Sequence, residues 1–101
     1  MAIEIDIRHE SALSSEQNAF IRHKAEMLDT EFPDAEFIRV VIDHQRFNYI
    51  ADFEVQHKGM PIVKSAAEGE NFSIAVDSAF HKAEKQLRRH REKILSQHQR
   101  N

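Results

Sequence analysis

The C-terminal third of the chain constrains the fold most, because no glycine or proline follows Gly69. Asn71 is a residue type favoured at helix N-caps, and apolar residues recur at helical spacing after it. We therefore predict one long helix over about 72–95, followed by a short polar tail over 96–101. Its apolar stripe consists of Val76, Ala79, Phe80, Ala83, Leu87 and Ile94.

Alternating apolar and polar residues predict four strands in the rest of the chain. The first covers residues 3–7, where three isoleucines alternate with acidic residues. Alternation resumes from residue 36, and again near 51–56 and 62–68. Lys58-Gly59 lies between the last two segments and predicts a tight turn, so these two strands should form a hairpin.

A shorter helix is predicted over about 15–31. Ser14 followed by Gln17 has the pattern of a capping box at the start of a helix, and Pro33 prevents the helix from continuing. The element order is therefore β-α-β-β-β-α. This order predicts an α+β domain over residues 1–95, with both helices packed on one face of a four-stranded antiparallel sheet.

Charge is distributed very unevenly along the chain. Residues 1–81 carry 7 Lys and Arg against 15 Asp and Glu, a net of −8, whereas residues 82–101 carry 7 against 2, a net of +5. A polyanion should therefore bind the C-terminal end and avoid the body. The open face of the sheet should be largely acidic, with Glu4, Asp6, Asp43, Asp52, Glu54 and Glu68 on it.

Four cations of the second helix fall on one side of it, opposite the apolar stripe. Lys82, Lys85, Arg89 and Lys93, here called the basic row, are spaced by three, four and four residues, so their side chains are neighbours. No acidic residue interrupts them. Like charges at this spacing repel, which suggests an anionic partner. The alternative is a solvated face that the helix macrodipole stabilises, which explains Lys93 near the C-terminus better than Lys82.

The charges on the flank beside the basic row are spaced to pair with one another instead. Asp77 and His81 are spaced to pair, and so are Glu84 and Arg88. Arg88 therefore belongs to the flank rather than to the row.

Three segments of the sequence resemble the ribosome hibernation promoting factor / protein Y family of ribosome-associated translation inhibitors and sigma-54 modulation proteins. They are residues 67–72 (AEGENF), 75–77 (AVD) and 82–93 (KAEKQLRRHREK). The β-α-β-β-β-α order also suits this family, so the resemblance covers essentially the whole chain. It implies a fold like that of a double-stranded-RNA-binding domain with an added first strand.

The resemblance also implies a function. Members of the family bind the decoding region of the small ribosomal subunit, where tRNA and mRNA would bind, and block translation in idle ribosomes. The implied partners are the small subunit and its ribosomal RNA. Lys82, Lys85 and Arg89 match the basic helix of the family that contacts this RNA, and Arg91 and Lys93 match its continuation. The chain resembles the short, single-domain form.

Two further RNA-binding candidates lie outside the second helix. Arg8 follows the first strand, and Lys64 lies on the fourth. A cluster of His44, Arg46, Phe47 and Tyr49 falls near the turn between the second and third strands; it could stack on an unpaired base or simply pack the hairpin.

Catalytic and metal chemistry finds no support in the sequence. There is no cysteine, and the seven histidines form no H-x-x-x-H pair. There is also no G-x-S-x-G or glycine-rich phosphate loop. We therefore expect no enzyme activity, cofactor, metal or small-molecule substrate. The absence of a signal-like or membrane-spanning segment predicts a cytoplasmic protein with no membrane partner.

Two other functions stay open at this point. One is a general double-stranded-RNA-binding domain, which would bind a plain RNA duplex as well as a ribosome. The other is a protein-interaction module that modulates an alternative sigma factor through its sheet edge or acidic face.

Overall fold

The computed structural model describes residues 2–8 and 13–99, with side chains described through residue 95. The element order β-α-β-β-β-α is as predicted, and the fold is α+β. Within the described ranges, neither helix is long and apolar enough to cross a membrane. The elements are β1 (Ala2–Ile7), α1 (Ser15–Glu31), β2 (Ala35–Gln45), β3 (Asn48–His57), β4 (Val63–Gly69) and α2 (Phe72–Gln99).

The four strands form one mixed sheet in the order β1-β2-β3-β4. β2, β3 and β4 pair antiparallel, but β1 pairs parallel with β2, with Ile5 opposite Val40. The prediction of an antiparallel sheet was therefore wrong at β1. The reason is α1, which returns the chain to the end of the sheet where β1 begins, so that β2 starts there and runs in the same direction.

Local hydrogen bonds start both helices where the sequence predicts. At α1, the Ser14 hydroxyl accepts from the Gln17 amide at 3.1 Å, and the Gln17 side chain accepts from the Ser14 amide at 3.0 Å. This reciprocal pair is the predicted capping box. At α2, the Asn71 side-chain oxygen accepts from the Ile74 amide at 3.1 Å, which confirms Asn71 as the N-cap.

α2 is longer than predicted. It continues to Gln99, four residues into the segment predicted as a polar tail, and residues 100 and 101 lie outside the described chain. The cause is the absence of any helix-breaking residue after Gly69. Ile94, predicted to belong to the core stripe, is only half-buried, and it lines a groove with Phe32 and Met60 at the end of the domain.

The core lies between the two helices and one face of the sheet. The turn that joins β3 to β4 is tight, as predicted: the Met60 amide donates to the His57 carbonyl at 3.1 Å, and Gly59 has φ +79°. A side chain is disfavoured at that φ, which explains glycine there. The largest fully buried side chains include Phe32, Phe53, Phe80, Leu28, Ile38 and Leu87.

Candidate nucleic-acid interface

The basic row begins at Lys82, beside the outer edge of β4. The apolar stripe of α2 is buried against the sheet from Val76 to Leu87, whereas all four side chains of the row are exposed. The Lys82 ammonium donates to the backbone carbonyl of Ala66 at 2.9 Å, which fixes this end of the row beside the strand. The helix therefore presents its cations at one margin of the molecule.

A second side chain of α2 also bonds to the edge of β4. The Gln86 side-chain amide donates to the carbonyl of Lys64 at 3.1 Å. Edge strands expose unpaired carbonyls that can recruit another strand, and Lys82 and Gln86 occupy two of them. Gln86 was not predicted from the sequence; the signal for it was its position one turn after Lys82, on the same side of the helix.

Three members of the row have no partner in the described part of the chain. Lys85, Arg89 and Lys93 make neither a hydrogen bond nor an ion pair with any side chain described there. Lys82 uses one of its three N–H donors on Ala66 and keeps two for another acceptor. The row is thus a line of cations with most of their hydrogen-bonding capacity unused.

The flank of α2 faces α1, and its charges are compensated differently from the prediction. Asp77 does not pair with His81; its carboxylate lies 2.7 Å from the Lys24 ammonium of α1. Lys24 also lies 4.8 Å from the ring centre of Phe80, a cation–π contact that holds it there. His81 instead lies 3.8 Å from Glu84.

The predicted Glu84–Arg88 pair is present at 3.4 Å, but the shorter contact of Arg88 is to Glu31 of α1, at 2.7 Å. Burial raises the pKa of Glu84, and the neighbouring Glu31 raises it further. Burial, the largest single influence, acts in the same direction on Glu31, but the hydrogen bonds with Arg88 and Glu84 and the charges of Arg88 and Arg91 together outweigh it and lower the pKa of Glu31. The hydrogen bond to Glu31 raises the pKa of Arg88. The flank is therefore a closed ionic network between the helices.

Arg91 does not join the basic row. Its guanidinium lies 4.7 Å from the ring centre of Phe32, and it donates to the carbonyl of Glu31 at 3.4 Å. It follows Arg89 by two residues, which at about 100° per residue turns it about 200° away from the row. Its contacts join α2 to the C-terminal end of α1, so Arg91 is set apart from the basic row, and its RNA contact, which the family resemblance implies, stays a prediction.

Lys64 is on β4 beside the row but is not part of it, and Arg8 lies at the far edge of the sheet. Lys64 is on the open face of the sheet, 3.5 Å from Glu54, at the end of a cross-strand line in which Glu4, Arg39, Glu54 and Lys64 alternate in charge. Arg8 follows β1, at the opposite edge of the sheet from β4, and its side chain approaches Asp6 at 4.0 Å. The loop residues 9–12, including His9, lie outside the described chain.

The open face is otherwise acidic, as predicted. Asp52 and Glu68 lie on it with the acids of the cross-strand line, and Arg39 lies 3.2 Å from Asp6. Arg39 and Lys64, together with Arg8 near Asp6, therefore neutralise only part of its charge. No three His, Asp or Glu side chains in the described ranges come close enough together to hold a metal ion.

The aromatic cluster near the β2–β3 turn divides into two parts. His44 and Tyr49 stack with ring centres 4.0 Å apart, and Tyr49 meets Phe72 of α2 edge-on at 5.5 Å. These three side chains pack the hairpin onto the helix. Phe47, in contrast, is 83% exposed.

Comparison with known proteins identifies both sequence and structural relatives. The family model described as "Sigma 54 modulation protein / S30EA ribosomal protein" matches residues 3–95. No curated protein matches the sequence. A ribosomal subunit interface protein from Coxiella burnetii has a similar structure, with TM-score 0.80 and 20% identity, covering 91% of this chain and 99% of that one. The N-terminal domain of Thermus thermophilus Protein Y has TM-score 0.70 and 20% identity, covering 87% and 93%. These two structures share the fold.

Proposed function

This chain belongs to the sigma 54 modulation protein / S30EA ribosomal protein family, and from that premise we propose that it is a ribosome-associated translation inhibitor. In this proposal it binds the decoding region of the small subunit in idle ribosomes, where it occupies the sites of tRNA and mRNA. Two proteins with the same fold are a ribosomal subunit interface protein and a Protein Y domain. Ribosome binding also implies a cytoplasmic location.

The observation that carries the proposal is the basic row. Three of its cations have no partner in the described part of the chain, although the whole chain has a net charge of −3. RNA phosphates are suitable partners, because lysine and arginine that neutralise them release condensed counterions. The row follows one helix along the margin of the domain, so it can lie against a phosphate backbone.

The remaining surface supports one orientation. The acidic open face repels RNA, so the domain should dock by its α2–β4 margin. The charges of the flank already form ion pairs between the helices, Lys24 with Asp77 and Arg88 with Glu31. The flank therefore has less unpaired charge for a partner. Once docked, the domain needs no catalytic group, because it inhibits by excluding tRNA and mRNA from the space it fills.

Charge reversal in the row tests the proposal. The double variant Lys85→Glu/Arg89→Glu should reduce affinity for isolated small subunits on the order of 100-fold, because two phosphate contacts become repulsive. A matched control, Arg22→Glu/Lys58→Glu, makes the same charge change at exposed positions on α1 and in the β3–β4 turn. The control should bind with nearly wild-type affinity in co-sedimentation, and should still inhibit translation in a cell-free reaction.

If both double variants lose affinity equally, only net charge matters and the row is not the interface. If the row variant keeps normal occupancy while it remains folded, the site is wrong. For the wild-type protein, three or four phosphate contacts predict a slope of about −2 to −4 in the logarithm of affinity against the logarithm of salt concentration. A slope near zero would contradict an electrostatic interface.

Competition separates the proposed function from its alternatives. Small subunits should displace a labelled protein from immobilised small subunits, whereas a plain RNA duplex at equal phosphate concentration should not. Equal displacement by the duplex would support a general double-stranded-RNA binder. Failure of wild-type protein to bind subunits at all would favour the protein-interaction reading.

A further inference from the structure

The tip of the β2–β3 hairpin combines two unfavourable features. The two-residue turn Arg46-Phe47 is closed by the facing pair Gln45 and Asn48. Arg46 has φ +54°, a left-handed conformation that usually favours glycine or asparagine. Phe47 exposes 83% of its surface to water. Strained backbone and an exposed aromatic ring, at adjacent residues, are typical of a segment that contacts a partner.

The tip is also held in a fixed position. His44 stacks on Tyr49 immediately before and after the turn, and Tyr49 packs on Phe72 at the start of α2. The β2–β3 ladder continues without irregularity from Phe37 to the turn. Phe47 is therefore presented on a rigid support, and little conformational entropy would be lost when it binds.

A groove of about 440 Å³ lies beside the ring of Phe47, and the residues that line it determine the charge around this ring. Ile50 forms part of its wall, and Glu68 and Glu70 line its side. Neither carboxylate has an ion-pair partner in the described part of the chain. Among the described residues that line this groove Arg46 is the one cation, so the surroundings of Phe47 carry net negative charge.

We propose that Arg46, Phe47, Ile50, Glu68 and Glu70, here called the hairpin surface, form a docking site for a basic protein. The partner should offer an apolar pocket for Phe47, rimmed by lysine or arginine that faces Glu68 and Glu70. An aromatic anchor within a polar rim is the usual arrangement of strong protein contacts. An unpaired RNA base could also stack on Phe47, but its phosphates would meet the two carboxylates, so charge complementarity favours protein.

A neighbouring groove indicates where the basic protein partner lies. Lys82, the first residue of the basic row, lines a groove together with Ile50 and Glu68. The hairpin surface therefore adjoins the row, and one partner particle must present RNA and basic protein side by side. A ribosomal subunit has that composition. This inference rests on the proposed function and adds a ribosomal protein to its RNA partner.

Photo-crosslinking identifies the partner class directly. The photoreactive residue p-benzoylphenylalanine replaces Phe47 in the full chain, which is irradiated when bound to purified small subunits. The expected product is one protein adduct. A control with the same residue at Met27, which is 40% exposed on α1, should not give that adduct. An RNA adduct at position 47, or no adduct at saturating occupancy, overturns the inference.

Affinity measurements separate this inference from the proposed function. Phe47→Ala should weaken binding to intact small subunits about tenfold and leave binding to protein-free ribosomal RNA unchanged, with an unchanged melting temperature. The row variant Lys85→Glu/Arg89→Glu should weaken both. If wild-type protein binds subunits and Phe47→Ala binds equally well, the hairpin surface is wrong and the proposed function stands. If wild-type protein does not bind subunits, both are overturned. If Phe47→Ala weakens both targets equally, Phe47 contacts RNA and the inference fails.

Discussion

Two arginines of α2, only two residues apart, should respond oppositely to alanine substitution. Arg91→Ala removes a cation–π contact with the buried ring of Phe32 and a long hydrogen bond to the Glu31 carbonyl. The first is worth about 1 to 2 kcal/mol at a partly desolvated site, and the second adds less than about 1 kcal/mol. Arg91→Ala should therefore lower the free energy of unfolding by about 1 to 2 kcal/mol.

Arg89→Ala is the counterpart, because Arg89 has no hydrogen bond or ion pair with the described residues that the fold would lose. Its effect on stability should stay within about 0.5 kcal/mol. If one phosphate contact is lost, affinity for small subunits should fall about tenfold, which corresponds to about 1.4 kcal/mol. Arg91→Ala should bind with nearly wild-type affinity under conditions where it is folded.

The assays are urea unfolding and subunit binding on the same preparations. With a urea dependence of about 2 kcal/mol per molar for a small domain, the unfolding midpoint of Arg91→Ala should fall by about 0.5 to 1 M. The Arg89→Ala midpoint should be unchanged. If Arg91→Ala loses as much affinity as Arg89→Ala while its midpoint does not move, then Arg91 contacts the partner and its placement between the helices does not decide its role.

Three further substitutions test the packing and electrostatics. Leu87→Ala, at a fully buried position of the α2 stripe, should cost about 2 to 5 kcal/mol of unfolding free energy in a urea titration, and a loss below about 1 kcal/mol would contradict the core assignment. Ser14→Ala breaks the capping box of α1 and should lower the free energy of unfolding by about 1 kcal/mol in the same titration. The control Ser73→Ala should leave it unchanged. The third substitution is Glu84→Gln. Burial and Glu31 raise the pKa of Glu84 above its ordinary value of 4.5. The contribution of Glu84 to the free energy of unfolding therefore falls as the pH rises from 4.5 through the raised pKa. Glu84→Gln should remove that fall in midpoints compared across the acid range, and an unchanged pH profile would refute it.

Those parts of the fold that depend on neighbouring residues were predictable from the sequence. The capping box at Ser14, the N-cap at Asn71 and the turn at Gly59 each require only a few adjacent residues, and the structure confirms all three. The direction of β1 was not predicted correctly, because alternation shows that a strand exists but not which way it runs beside its neighbour. The end of α2 was placed too early, since the sequence there has no stop signal.

The basic row could be predicted because helical periodicity alone determines which side chains are neighbours. Contacts between the two helices could not. From the sequence, Asp77 could pair with His81 or with a residue of another element. Packing of α1 against α2 brings Lys24 to Asp77 instead. Arg91 lies in the same basic run as Arg89. Two residues along a helix correspond to a rotation of about 200°, so its side chain lies on another side of α2, over Phe32.

Tethered hydroxyl-radical cleavage tests the ribosomal interface most directly, because the chain contains no cysteine and a single introduced thiol is unique. An iron chelate on Glu92→Cys, next to Lys93 in the basic row, should cleave small-subunit RNA in the decoding region. The same chelate on Glu4→Cys, on the open sheet face, should give little or no cleavage there. Equal cleavage from both positions, or none near the decoding region from Glu92→Cys at full occupancy, would contradict binding through the basic row.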